Sequence, residues 1–154
     1  MTVPDAALPI LRGLAPGDEA DWRRLWAGYN RFYETEIPPE TTAVTWRRLH
    51  EPGSGMFARV AVVGGSVAGF AQCVVHPCTW TVKSVCYLED LFVDPDARAA
   101  GVGRALLEDL VALSREKDWG RLYWLTRRDN AAARGLYDHY VGADDFVRYR
   151  IRFM

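Results

Sequence analysis

The sequence predicts an α/β fold whose strands and amphipathic helices run in the order βααβββαβαβ. Three observations carry that expectation. The apolar run from Tyr87 to Val93 passes through a turn marked by Pro95 into a glycine-rich helix start at Gly101 and Gly103. Two more apolar runs, Phe57 to Val63 and Val67 to Val75, are separated by Gly64-Gly65-Ser66, which is a hairpin signal. Val102, Leu106, Leu110 and Leu113 recur at helical spacing and give the next helix one buried stripe.

The elements follow in chain order. Ile10-Leu11-Arg12 reads as a short first strand, and Pro16-Gly17 lead to Asp18 as an N-cap. Leu25, Tyr29 and Phe32 then repeat at helical spacing, with Trp22 and Trp26 on an adjacent stripe. The run from Glu34 to Glu40, with two prolines, breaks that helix, and a second continues through Trp46 and Leu49. Pro52-Gly53-Ser54-Gly55 is a loop before the two hairpin strands, and Val82 to Val93 extends the sheet. Arg121 to Thr126 is rich in β-formers and reads as a buried strand. Arg127-Arg128-Asp129 turns the chain toward Asn130, the expected N-cap of a helix from Ala131 to Tyr140. Phe146 to Phe153 alternates apolar or aromatic residues with arginines and is expected to form the last strand.

At 154 residues the chain is long enough for one domain with its own core, and residues 1–154 are read as that domain. A net charge of −1 gives no reason to expect sequence-independent nucleic-acid binding. No apolar run approaches the roughly 18–20 residues that a membrane span needs. Nor is there a secretory signal pattern at Met1 and beyond. Cys73, Cys78 and Cys86 form no Cys-x-x-Cys pair, which favours reduced thiols and a cytoplasmic location. His76-Pro77-Cys78 is too little for a metal site, so no metal is expected.

Backbone N–H groups at a helix N-terminus hold phosphates, and three glycine patterns do so after a strand. The run Gly, four residues, then Gly-Lys-Ser/Thr is absent. A dinucleotide fingerprint needs a third glycine where Leu106 stands. Arg98-Ala99-Ala100-Gly101-Val102-Gly103 fits the third pattern, Arg/Gln-x-x-Gly-x-Gly/Ala, in full. Downstream, a strand, Asn130, and Arg134-Gly135-Leu136-Tyr137 follow in order. With both motifs in place, the chain resembles the GNAT superfamily of acetyl-CoA-dependent N-acetyltransferases. Tyr87-Leu88-Glu89-Asp90-Leu91-Phe92-Val93 is similar to the matching strand of the histone- and polyamine-acetyltransferase-like branch, which includes spermidine/spermine and thialysine enzymes.

The resemblance implies a mixed, partly opened sheet flanked by helices. It implies acetyl-CoA as cosubstrate, its pyrophosphate held by the amides of Ala99, Ala100, Gly101, Val102, Gly103 and Arg104, with charge from Arg98 and Arg104. The backbone of Leu91, Phe92 and Val93 would bind the pantetheine and polarise the thioester, Asn130 would contact the same arm, and Tyr137 would lie beside the sulfur.

An alkyl ammonium with a pKa of about 10 to 10.5 must lose a proton before it attacks a thioester. Glu89 is the candidate base, acting through a water; alternation places it with Tyr87, Leu91 and Val93, while Asp90 points away. A bulge would disturb that alternation, so Asp90 stays in reserve. Tyr137, a phenol protonated at neutral pH, is the candidate acid. For a cationic acceptor, Glu34 and Glu36 supply charge and Trp26, Tyr29 and Tyr33 supply aromatic faces, with His76 and Trp80 as another wall. Arg127, Arg128, Arg148 and Arg150 suit a carboxylate instead, so an amino acid or thialysine fits as well as a polyamine. The leading expectation is a small-molecule amine acceptor. A protein lysine acetyltransferase and a non-catalytic acyl-CoA sensor are the alternatives. The outer edge of the last strand lacks an obvious cover, which points to a homodimer.

Overall fold

In the computed structural model, which describes residues 8–153, one five-stranded sheet separates two hydrophobic clusters. The strands are β1 (Ile10–Gly13), β2 (Met56–Val63), β3 (Ser66–Cys78), β4 (Thr81–Val93) and β5 (Leu122–Trp124), and they neighbour one another in chain order. The first four pair antiparallel and β5 joins β4 in parallel. Between β2 and β3, Gly64 and Gly65 both take positive φ, 59° and 81°, as a two-residue hairpin turn requires.

Helices α1 (Glu19–Phe32) and α2 (Pro39–His50) cover one face. Trp22, Leu25, Trp26 and Tyr29 lie along one stripe of α1 and pack with Phe70 and Phe92 of the sheet. Pro39 and Glu40, expected in the break between helices, instead open α2, because proline suits a first helical turn. On the opposite face α3 (Val102–Glu116) buries Val102, Leu106, Leu107 and Leu110 against Cys73, Cys86 and Leu88. A two-pronged ion pair, Arg59 to Asp109 at 2.7 and 2.9 Å, ties β2 to α3. Helix α4 (Ala131–Tyr137) follows β5, and Leu136 and Tyr137 pack at the rim of the same cluster.

Two expectations need correction. The downstream strand is three residues long, Leu122–Trp124, rather than reaching Thr126. The expected last strand is not formed: residues 146–153 carry no strand, and Phe146, Val147, Tyr149, Ile151 and Phe153 are exposed. The reason is physical. Alternation readies a segment for pairing but supplies no partner, and β5 offers only a three-residue edge.

Candidate active site

The glycine-rich turn builds a set of free backbone donors. After β4 the chain makes a 3-10 turn, Pro95–Ala100, steadied by Asp94 Oδ1 accepting from the Asp96 amide at 3.0 Å. Gly101 then adopts φ 70°, which a side chain would disfavour, and α3 begins at Val102. The amide of Ala105 bonds to the Gly101 carbonyl at 3.0 Å. The preceding amides, of Val102, Gly103 and Arg104, therefore stand at the positive end of a 15-residue helix without intrahelical acceptors. A Cβ on Gly103 would meet Leu136 and Val93 only at 3.5 and 3.7 Å, so packing within the chain does not require glycine there. Arg98 is exposed with its Cζ 5.9 Å from the Phe92 ring centroid. Arg104 runs along its helix toward Glu108 and Tyr140 at 3.3 Å and His139 at 2.9 Å.

Beside this turn the sheet splits. β4 pairs with β5 only from Cys86 to Leu88, opposite Leu122 to Trp124. Residues 90–93 pair with β3 on one side, and residues 89–93 have no strand partner on the other among the described residues. They leave backbone polar groups for an extended ligand. At the start of this bare edge lies a bulge: Cys73 pairs with Leu88 and Gln72 with Asp90, and Glu89 has no partner. The bulge shifts the alternation. Cys86 and Leu88 face α3 before it, Leu91 and Val93 face α3 after it, and Phe92 faces α1. Glu89 and Asp90 accordingly do not separate as simple alternation had them. Both carboxylates are felt by Tyr29 of α1 and by Tyr87 of β4.

These carboxylates are electrically unusual. Glu89 is exposed as a residue, yet partial loss of solvent around its carboxyl, then the neighbouring Asp90 charge, raises it above its ordinary pKa. Burial also raises Asp90, while the Tyr29 phenol and the Gln72 amide pull it the other way. Tyr33 is raised by burial and by Asp90, and lowered by Arg127 and Thr126. The Arg127 guanidinium lies 5.3 Å from the Tyr33 ring centroid. The Tyr29–Tyr33 pair, ring centroids 4.8 Å apart, thus lies among two carboxylates and a guanidinium, and marks the candidate acceptor cleft.

Tyr137 borders the same cleft. It is half-buried, edge-on to Trp124 at 5.4 Å, and its pKa is pushed up to about 12 by burial and then by Tyr33. Asn130 caps α4 as expected, its Oδ1 accepting from the Ala133 amide at 3.4 Å while Nδ2 donates to Thr126 Oγ1 at 3.1 Å. That cap directs α4, and with it Tyr137, toward the split.

The outlying expected residues lie as follows. Trp26 is buried behind Tyr29, stacked on it at 5.2 Å, and donates to Thr42. It supports the cleft wall from the core. Glu34 and Glu36 are exposed in the loop between α1 and α2, where Glu36 lines a shallow surface hollow with Asn30 and Ile37. His76 accepts or donates at Tyr123 Oη, 2.7 Å away, and its Nδ1 meets the Pro77 carbonyl at 2.6 Å. A carbonyl only accepts, so Nδ1 carries hydrogen. Trp80 is 78% exposed at the β3–β4 hairpin tip. Two cleft residues escaped the sequence reading. Tyr123 stacks on Tyr87 at 4.9 Å, and Gln72 touches Asp90. A lone amide inside the apolar run from Val67 to Val75 was the available signal for Gln72.

The acetyltransferase (GNAT) family model matches residues 21–143, which is most of the chain and takes in the split strand, the glycine turn and α4. The chain belongs to the GNAT family. This GNAT protein is 33% identical over 143 residues, 92% of its own length and 89% of its relative's, to the D-amino-acid N-acetyltransferase HPA3 of Saccharomyces cerevisiae. It is 34% identical over 79 residues, 51% of this chain and 49% of the other, to the thialysine N-epsilon-acetyltransferase of Caenorhabditis elegans. Its fold superposes with a TM-score of 0.79 on the crystal structure of a ribosomal-protein-alanine N-acetyltransferase from Brucella melitensis, at 24% identity, covering 94% of this chain and 99% of that one. The protein is an N-acetyltransferase.

Proposed function

We propose that this enzyme transfers an acetyl group from acetyl-CoA directly to the primary amine of a small molecule, and that the acceptor is an α-amino acid. The observation that carries the acceptor class is the charge pattern of the cleft: the Arg127 guanidinium lies 5.3 Å from the Tyr33 ring centroid, and Tyr29, its ring 4.8 Å from that of Tyr33, adjoins the Asp90 carboxylate. An amino acid presents the complementary ammonium and carboxylate a few ångströms apart. The D-amino-acid activity of the yeast relative supports the same class.

The fit to acetyl-CoA rests on the backbone. Free amides of Val102, Gly103 and Arg104 suit its pyrophosphate, and the bare edge at residues 89–93 suits its extended arm. When bound, acetyl-CoA supplies the activated acyl group. Glu89, its carboxyl raised toward the basicity a proton acceptor needs, takes the ammonium proton through a water. Tyr137 with its pKa near 12 stays protonated. It is a weaker acid than a free thiol by roughly 3.5 pH units, so it serves the departing sulfur as a hydrogen-bond donor more than by complete proton transfer.

Two finer readings go with this one. A homodimer is supported by the exposed alternating segment at residues 146–153, a surface that a second copy would cover. Cytoplasmic residence is supported by the free thiols of Cys73, Cys78 and Cys86.

The test is free-CoA release with acetyl-CoA and D- and L-amino acids, thialysine, spermidine and a histone-tail peptide. Turnover concentrated in the amino acids is expected. Turnover with spermidine or the peptide alone would overturn the acceptor class, and none at all would overturn the reaction.

A further inference from the structure

The sheet face under α1 carries a short polar chain through an otherwise apolar core. Trp22, fully buried, donates from Nε1 to Gln72 Oε1 at 2.6 Å, and Gln72 Nε2 donates to Asp90 Oδ2 at 2.8 Å. An indole N–H can only donate, so the amide oxygen must face Trp22 and the amide N–H must face Asp90. The orientation of Gln72 is therefore fixed by chemistry rather than by an arbitrary choice between oxygen and nitrogen. Gln72 is 3% exposed and stands opposite Asp90 in the ladder, at the register step that leaves Glu89 unpaired. Among Trp22, Phe70 and Phe92 an apolar side chain would cost less to bury than this amide.

From this geometry we infer that Gln72, oriented by Trp22, is a positioning residue that holds the Asp90 carboxylate toward the acceptor cleft, so that the reacting ammonium meets two anions, Asp90 and Glu89. The inference rests on the acetyl-transfer reading above and deepens it. Glu89 at the bulge has no cross-strand partner and is free to serve a water. Asp90 is pinned, and suits the fixed charge that orients the amine. The titratable groups around Asp90 are Tyr29 from α1 and Tyr33 just past its end, with Tyr87 and Glu89 from β4 and Arg127 beyond Tyr33, while Cys73 of β3 lies on the opposite face of the sheet. A donor to the ionised carboxylate favours its charged form, so removing the Gln72 N–H must move Asp90 titration to higher pH.

The experiment is a carbon-detected NMR titration of the Asp90 carboxylate in the full chain, run on wild type, Gln72→Met and Gln72→Leu. The first keeps volume. The second removes the same N–H with a shorter, branched side chain that adds no charge, and carries the test if the first does not fold. In wild type the Trp22 indole resonance should follow the Asp90 titration through the shared amide. In both variants Asp90 should titrate roughly one pH unit higher, the worth of a hydrogen bond to a charged group. The acid limb of kcat/KM for the amine should move with it, while KM for acetyl-CoA stays unchanged. An Asp90 titration that does not move overturns the inference. A titration that moves without the kcat/KM limb overturns its link to the acceptor. A wild type that releases no CoA with any amine overturns the acetyl-transfer reading itself, and is told apart because it is seen before any variant is made.

Discussion

The two halves of the site are built from different material. The cradle at the start of α3 is backbone: one positive-φ glycine, a helix terminus and an unpaired strand edge, drawn from a single stretch at residues 89–104. The proposed acceptor cleft is side chains: Tyr29 from α1 and Tyr33 just past its end, Gln72 from β3, Tyr87, Glu89 and Asp90 from β4, Tyr123 from β5, and Arg127 beyond it. A backbone site tolerates changes of residue type that keep its dihedral angles. A side-chain site does not, because each member supplies a particular proton, charge or ring. On the proposed function, the cradle is the general half of the enzyme and the cleft the specific half.

Substitutions can break this division, the largest first. Tyr137→Phe removes a phenol hydrogen at the border of the two halves, and kcat should fall by ~10²- to 10⁴-fold, the usual worth of a positioned proton donor. Glu89→Gln should cost kcat/KM about 10²-fold. The pH dependence has a defined sign. Both carboxyls are raised, so the acid limb of wild-type kcat/KM should lie above the ordinary carboxylate range and activity should fall as pH drops through it. Glu89→Gln should displace that limb. Gly101→Ala strains the cradle by ~1–2 kcal/mol, which weakens acetyl-CoA binding by roughly 5- to 30-fold if the turn must keep its shape to hold the ligand.

Asp90→Asn tests the cleft from the side of stability. A carboxyl whose folded pKa lies above its unfolded value ionises first in the unfolded chain, so it takes stability from the native state as pH rises through the two values. Removing the charge should raise Tm at neutral pH while lowering activity, a trade expected of functional sites. A lower Tm would mean that Asp90 is a structural anchor. Smallest of all, Cys73→Ala, Cys78→Ala and Cys86→Ala should each leave turnover within about twofold, since direct transfer uses no acyl-enzyme. Loss of turnover in a folded variant would contradict direct transfer.

The same division explains what could be read from the sequence. The Arg98 to Gly103 motif and the Asn130 cap are local, and their residues dictate the backbone shape they need. The aromatic stripe of α1 declared its face by spacing, although it could not say that Trp26 lies behind Tyr29 rather than beside the acceptor. Glu89 and Asp90 were visible as a pair. The break in their alternation was not, because a one-residue bulge is set by the register of β3 against β4 and by no residue type. Gln72 lay 18 residues from its partner and gave only the faint sign of an amide in an apolar run. The segment at residues 146–153 shows the converse. Its alternation is plain in the sequence, but pairing requires a neighbour that alternation cannot provide.

The most direct test of the division is to measure acetyl-CoA Kd and amine kcat side by side for Gly101→Ala and Tyr137→Phe. A crossed pattern is expected: Gly101→Ala weakens Kd and keeps most of kcat at saturation, and Tyr137→Phe keeps Kd and loses kcat. If both variants moved both quantities together, or if Tyr137→Phe turned over at the wild-type rate, the separate roles assigned to the cradle and the cleft would be wrong.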